Sequence, residues 1–163
     1  MAKTRLGIIA GTGRLPQILA EYAATQGRAC SVITLAGVPV PWADGRDDVI
    51  RASFEKLGTL WADMTAAGIR DVVFAGAMTR PKLDMAAADA GFLALAPKLL
   101  PALQSGDDAA LAVIVAGFEA QGFDICGADA LLPDLTEPAG VLGRHTPGDA
   151  DRADAARADP VAV

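Results

Sequence analysis

The chain has 163 residues, of which 52% are hydrophobic and 21% charged, proportions that suit a single globular domain. Its formal net charge of −6 disfavours a nucleic-acid-binding protein, because such proteins carry basic surfaces that contact phosphates. No apolar run approaches the ~18 residues of a membrane span, and the apolar part of MAKTRLGII is too short for a signal peptide, so the sequence predicts a cytoplasmic protein without a transmembrane segment.

Short apolar segments that predict strands alternate with stretches of helical apolar spacing. The predicted strands are residues 6–10, 30–35, 71–76 and 123–127. The predicted helices follow the first strand, run from Phe54 towards Gly68, occupy 92–103 and lie around 111–118, and the third is expected to be broken into pieces by Pro97 and Pro101. This alternation predicts the α/β class, with a Rossmann-like parallel sheet covered by helices on both faces.

The last eighteen residues differ in composition from the rest. Residues 146–163 read TPGDADRADAARADPVAV and contain no large apolar side chain before Val161. Such a segment cannot build a core, so it is expected to be a linker or a surface helix. The predicted organisation is therefore one domain at 1–145 followed by an Ala/Asp-rich linker at 146–163.

A glycine-rich turn, LGIIAGTGRLP at residues 6–16, joins the first strand to the first helix. Gly11 and Gly13 would let an anion approach the N–H groups of the helix N-terminus, and Arg14 could donate to a phosphate oxygen. A tight turn without a ligand is the alternative. A dinucleotide fingerprint would place its third glycine where Pro16 stands and an acid after the second strand, where Ala36 and Gly37 stand, so a nicotinamide-dependent oxidoreductase is the weaker hypothesis.

Two other segments carry polar groups in positions of interest. GAMTRPKLD follows the third predicted strand and brings Thr79, Arg80 and Lys82, which fit either an anion site or a solvated loop. Asp107 and Asp108 open a helix, where they would cap it and favour its dipole, or would bind Mg²⁺.

The remaining reactive side chains form no recognisable catalytic set. Cys30 and Cys126 are far apart in apolar runs and predict buried free thiols, and the single histidine, His145, lies in a polar loop. Neither a zinc motif nor a Ser/His/Asp arrangement is visible, so the residues predict a phosphate-binding α/β domain without an evident catalytic centre.

Four stretches in series resemble the N-terminal domain of the LpxI family, the UDP-2,3-diacylglucosamine pyrophosphatases of lipid A synthesis. They cover most of residues 6 to 147, in family order. The stretches are LGIIAGTGRLP, FEKLGTLWADMTAAGIRDVVFAGAMTRP, SGDDAALAVIVAGFEAQGFDICGADALLPDL and GVLGRHTP.

The resemblance implies a function. Family members hydrolyse the pyrophosphate of UDP-2,3-diacylglucosamine to UMP and 2,3-diacylglucosamine 1-phosphate (lipid X), with Mg²⁺, and enclose the ligand between a Rossmann-like domain and a C-terminal domain that carries the catalytic and metal-binding acids. Because the chain ends at Val163, that C-terminal domain is expected to be absent and this chain alone to be inactive. The alternative is a non-catalytic module that binds a nucleotide or phosphosugar, left by a truncated gene.

The resemblance also implies which residues face the ligand, UDP-2,3-diacylglucosamine or lipid X, without assigning any catalytic or metal-binding residue in this chain. A homo-oligomer and a peripheral contact with the inner membrane stay open. The expected ligand-binding residues are Gly11, Thr12, Gly13, Arg14, Thr79, Arg80, Pro81, Lys82, Asp107 and Asp108.

Overall fold

A five-stranded parallel sheet forms the centre of the molecule. The computed structural model describes residues 4–78, 82–135, 140–141 and 143–158. The strand order is β3-β2-β1-β4-β5, the order of a Rossmann sheet, which confirms the predicted fold class. The strands are β1 (Arg5–Ala10), β2 (Cys30–Leu35), β3 (Val49–Ala52), β4 (Ile69–Ala75) and β5 (Asp124–Ile125).

Helices connect most of the strands. Short 3₁₀ turns lie at Pro41–Ala43, Met85–Ala87 and Pro133–Leu135. The helices are α1 (Leu15–Thr25), α2 (Leu57–Ala66), α3 (Ala90–Ser105), α4 (Asp107–Ala120), α5 (Ala128–Leu131) and α6 (Asp149–Ala158). None of those in the described part of the chain has the length and apolar character needed to cross a bilayer.

Both faces of the sheet are buried, as predicted. On one face, Leu6 and Ile8 of β1 pack with Leu19 of α1. On the other face, Ile9 of β1 packs in a larger cluster with residues of α2, α3 and α4, including Phe118. Because side chains alternate across a strand, a strand covered on both faces must be apolar at nearly every position, and this is the reason that β1 and β2 stood out in the sequence.

The two edge strands differ from expectation. β3 is not among the predicted strands; it has four residues and pairs with β2, from Val32↔Val49 to Leu35↔Ala52. It contains Arg51 and lies at an edge, so it lacks the continuous apolar run of a central strand. The strand predicted at 123–127 is shorter, because only Asp124 and Ile125 pair with β4.

The prediction that prolines break the third helix is wrong. α3 is continuous from Ala90 to Ser105 with Pro97 and Pro101 inside it. Both prolines lie on the exposed face, while Phe92 and Leu99 are buried against the core. The carbonyl groups that lose a donor therefore face water, and burial of the opposite apolar face outweighs the cost of the prolines.

The C-terminal segment contains a helix, the second of the two forms expected for it. α6 is built from the sequence DADRADAARA, and its side chains from 149 to 157 are exposed. An acidic first turn and Arg157 in the last turn suit the helix dipole.

Candidate functional site

The strand order creates a crevice at the carboxyl ends of β1 and β4. From β1 the chain passes through α1 to β2 on one side, and it later returns through α2 to β4 on the other side. In sheets of this kind, ligands bind at the point where the order reverses, outside the carboxyl ends of the strands. The glycine turn after β1 and the segment after β4 meet at this point.

Hydrogen bonds clamp these two segments together. Thr12 and Ala77 form an antiparallel bridge, in which the Thr12 N–H donates to the Ala77 carbonyl at 2.8 Å and the Ala77 N–H donates to the Thr12 carbonyl at 3.1 Å. The Gly11 N–H donates to the Ala75 carbonyl at 2.7 Å, and the Thr12 hydroxyl donates to the Ala77 carbonyl at 3.1 Å. The floor of the crevice is therefore fixed before any ligand arrives.

Gly11 is required by this clamp. A Cβ on Gly11 would lie 2.5 Å from the Ala77 carbonyl oxygen, and a Cβ on Gly76 would lie 2.4 Å from the Thr12 carbonyl oxygen. The two glycines let two loops approach each other at backbone distance. The structure thus gives a packing reason for Gly11, which depends on a segment 65 residues away in the sequence, and its role in binding a ligand stays a prediction.

Gly13 is the glycine that faces open space. Its φ is +95°, a conformation that favours glycine, and no described atom lies within 4 Å of the position a Cβ would take. Arg14 is the N-cap of α1, no side chain caps the helix, and Pro16 occupies the first turn. Within the described residues, no carbonyl accepts the N–H groups of Gly13, Arg14 or Leu15, so they are available to an anion at the positive end of the helix dipole.

The expected cations near this turn are exposed or lie outside the described residues. Arg14 and Lys82 are both exposed. Thr79, Arg80 and Pro81 lie outside the residues that the structure describes, so their place at the site stays a prediction. The Thr12 hydroxyl donates its hydrogen to the Ala77 carbonyl. Its oxygen can still accept a hydrogen bond.

Asp107 and Asp108 occupy the first turn of α4, after the N-cap residue Gly106, and both are exposed. They stand inside the helix rather than at its cap, where their charges favour the dipole. Among the described residues, no three His, Cys, Asp or Glu side chains come together as a metal site would require. Mg²⁺ is usually held by one or two carboxylates together with waters and phosphate oxygens, so the alternative that Asp107 and Asp108 bind Mg²⁺ stays a prediction.

The cysteines have the character predicted for structural thiols. Both are free, with Cys30 buried and Cys126 partly buried. Burial, and then the nearby carboxylates of Asp48 and Asp71 respectively, raise the pKa of Cys30 and of Cys126 above the usual value. A raised pKa keeps a thiol protonated and poorly nucleophilic.

The structure contains a pocket that no sequence motif indicated. It has a volume of about 270 Å³ and lies at the carboxyl ends of β2 and β3. Ala10, the residue before Gly11, packs in one cluster with Val40 and Ala43, which line this pocket. Its polar lining residues are Thr34, Asp44 and Arg51. No local pattern marked them, because they come from two strands and from the irregular connection between those strands.

Comparison with known proteins shows which family and which individual proteins this chain is similar to. Residues 5–135 match the family described as LpxI N-terminal domain. A Caulobacter vibrioides protein named UDP-2,3-diacylglucosamine pyrophosphatase LpxI is 35% identical over 158 residues, which are 97% of this chain and 56% of that protein. The chain thus spans little more than half the length of this relative. Among solved structures, minor L-lactate dehydrogenase from Enterococcus mundtii aligns with 78% of this chain and 37% of its own, at 19% identity and a TM-score of 0.31, too low to support an inference.

Proposed function

The chain belongs to the LpxI N-terminal domain family, and from this membership we propose that it binds UDP-2,3-diacylglucosamine as the N-terminal part of a hydrolase that cleaves the pyrophosphate of this ligand to give UMP and lipid X. The substrate is the one in the name of the Caulobacter relative. The observation that carries the proposal is the open N-terminus of α1 at Gly13, in the crevice between β1 and β4.

In the proposed complex, one phosphate of the ligand lies against the first turn of α1. The N–H groups of Gly13, Arg14 and Leu15 donate to its oxygens, and the guanidinium of Arg14 adds a positive charge. The Thr12–Ala77 clamp holds this turn in place, so little ordering is needed when the phosphate binds. Arg80 and Lys82, which follow β4 in the sequence, are proposed to donate to oxygens of the same pyrophosphate.

The described residues bind and orient the ligand in this proposal and carry out no bond-breaking step. We propose residues 1–145 as the binding domain and 146–163, which include helix α6, as the linker. The acids that hold Mg²⁺ and activate water belong to the additional length found in the Caulobacter relative. When bound there, Mg²⁺ would neutralise phosphate charge and lower the pKa of the attacking water.

The phosphate contact is tested by Gly13→Val. A β-branched side chain at a φ of +95° strains the backbone and covers the N–H groups, so we expect lipid X or UDP to bind more weakly by at least ~1–2 kcal/mol, the scale of a lost hydrogen bond to a charged group. Isothermal titration calorimetry of the chain measures this. The matched control is Gly122→Val, because Gly122 has a φ of +88° and equally open surroundings but precedes β5. Equal affinities of a folded Gly13→Val chain and the wild type would refute the site.

The division of labour is tested by turnover. The purified 163-residue chain, given UDP-2,3-diacylglucosamine and Mg²⁺, is expected to release no UMP. Turnover on the order of 1 s⁻¹, ordinary for an enzyme, would show that acids in this chain are catalytic. Adding the remaining part of the Caulobacter relative as a separate chain is the second arm. Recovery of UMP release supports the hydrolase, whereas ligand binding without recovery in a stable mixture favours the non-catalytic module.

A further inference from the structure

The connection between β2 and β3 lacks the helix that covers this region in a Rossmann crossover. Residues 36–48 form an irregular segment with a single 3₁₀ turn, Pro41–Ala43. The segment packs on the face of the sheet that carries α1, through Val40 and Ala43. The missing helix leaves the pocket at the carboxyl ends of β2 and β3 open.

This pocket lies within reach of a ligand whose phosphate contacts α1. β1 and β2 are adjacent strands, paired up to Ala10↔Thr34. Adjacent strands are about 4.8 Å apart, so the turn after Ala10 and the pocket wall at Thr34 are separated by roughly one strand spacing. A nucleotide places its ribose one ester linkage away from its phosphate, a separation of the same order.

Asp44 brings a carboxylate to this pocket. In dinucleotide-binding sheets, an acid at the end of the second strand accepts hydrogen bonds from the ribose hydroxyls, and in this chain Ala36 and Gly37 follow β2 instead. The structure adds Asp44 to the pocket lining from the end of the 3₁₀ turn, where its N–H donates to the Pro41 carbonyl at 3.1 Å. Its side chain is exposed and, among the residues that the structure describes, has no hydrogen-bond or ion-pair partner.

The rest of the lining suits a nucleoside. Val38, Val40 and Val49 provide apolar walls, against which a flat base can lie, while Arg51 supplies hydrogen-bond donors. The side chain of Arg51 is also exposed and without a partner among the described residues. A pocket with apolar walls, one carboxylate and one guanidinium matches a ribose diol joined to a pyrimidine that carries carbonyl acceptors.

We propose that this pocket is the uridine subsite and that the Asp44 carboxylate accepts hydrogen bonds from the ribose hydroxyls of the uridine nucleotide. The inference rests on the proposed function, since it assigns one half of the UDP-sugar to this side of the sheet. Asp44 would bind the ribose directly and hold the nucleotide so that its phosphates lie along the N-terminus of α1.

The test titrates the 163-residue chain with UMP, with 2′,3′-dideoxy-UMP and with inorganic pyrophosphate, in the wild type and in Asp44→Asn. We expect Asp44→Asn to weaken UMP binding about tenfold, the loss of a hydrogen bond to a charged acceptor. It should leave the affinities for dideoxy-UMP and pyrophosphate unchanged, because neither has a ribose diol. The matched control is Asp47→Asn, which removes the same charge from the same connection at an exposed residue outside the pocket lining.

The outcomes separate the subsite from the proposed function. If Asp44→Asn binds UMP as tightly as the wild type does, the proposed ribose contact is wrong and the phosphate site stands. The same conclusion follows if Asp44→Asn loses affinity for UMP and for dideoxy-UMP to the same extent. If the chain binds pyrophosphate but no UMP, the subsite and the nucleotide half of the proposed function both fail. Unchanged melting temperatures of the two variants establish that neither effect comes from unfolding.

Discussion

At the scale of single residues, two glycines of one turn serve different purposes. Gly11 is buried against the backbone of the segment after β4, whereas Gly13 is exposed and has a positive φ. The first glycine shapes the crevice, and the second leaves its helix N-terminus accessible. The two roles cannot be separated in the sequence, because both residues satisfy the same Gly-x-Gly spacing.

Gly11→Ala is expected to destabilise the fold. Its Cβ would lie 2.5 Å from the Ala77 carbonyl oxygen and 2.7 Å from the carbonyl carbon of Gly76, so the two loops must separate and strain the Thr12–Ala77 bridge. Overpacking of this kind costs about 1–3 kcal/mol, measured by urea denaturation. In Gly13→Ala, by contrast, only backbone conformation opposes the change, at about 1 kcal/mol. A Gly11→Ala chain as stable as the wild type would contradict the close approach.

At the scale of elements, one carboxylate joins the N-termini of two helices. Asp89 is the N-cap of α3 and accepts the Phe92 N–H at 2.9 Å, and it also accepts the Gly58 and Thr59 N–H groups at the start of α2, at 3.2 and 2.8 Å. The two helices can approach each other there because Gly91 has no Cβ. A Cβ at this position would lie 2.4 Å from the Gly58 nitrogen. An Asp before an apolar helical stretch is a recognisable cap signal, which would indicate the role of Asp89 in α3. Its contact with the start of α2 is visible only in the structure.

Asp89 should make stability depend on pH in the acid range. Partial burial raises its pKa, but the N–H donors of Phe92, Thr59 and Gly58 together outweigh this, so the pKa of Asp89 lies below the usual 3.8. Because the pKa of Asp89 is lower in the folded state, its contribution to the free energy of unfolding is complete at pH values well above 3.8. This contribution is lost as the pH falls through the pKa of the folded state.

Asp89→Asn is therefore expected to cost about 1–2 kcal/mol at pH 7, the range of a lost cap. The difference in the free energy of unfolding between Asp89→Asn and the wild type should shrink as the pH falls below about 4. Urea denaturation at a series of pH values measures this difference. Asp63→Asn, which removes an exposed charge from α2, is the control. A constant difference between Asp89→Asn and the wild type from pH 7 to pH 2.5 would exclude the carboxylate as its source.

At the scale of the whole molecule, an ion pair connects segments that lie far apart in the sequence. Arg28, before β2, pairs with Asp71 of β4, and the Arg28 Nε–H donates to the Thr4 carbonyl at 3.1 Å. The Arg28 and Asp71 side chains are only 14% and 28% exposed. The pair spans β1, which lies between β2 and β4, and so fixes the amino-terminal edge of the sheet.

Breaking this pair should matter more than breaking an exposed one. Asp71→Asn leaves the Arg28 charge mostly buried without its partner, at an expected cost of about 1–3 kcal/mol. The comparison is Asp124→Asn, which removes the Arg70–Asp124 pair, whose side chains are 60% and 64% exposed, and is expected to cost less than about 1 kcal/mol. Denaturant midpoints at low salt measure both. Equal losses would show that burial does not set the strength of these pairs.

Features that depend on local pattern could be predicted from the sequence alone. Apolar runs located β1, β2 and most of β4, helical spacing located α1, α2 and α4, and the series of motifs identified the family. The glycine turn was placed correctly at the carboxyl end of β1, because parallel strands joined by helices bring their carboxyl ends to one edge.

Features that depend on contacts between distant residues could not be predicted in this way. The continuity of α3 follows from where its prolines face, β3 from pairing with β2, and the need for Gly11 from a loop more than 60 residues away. Asp44 enters the pocket because an irregular connection folds back over the sheet. A local pattern records what a residue prefers, whereas these four outcomes depend on which surface the rest of the chain places against it.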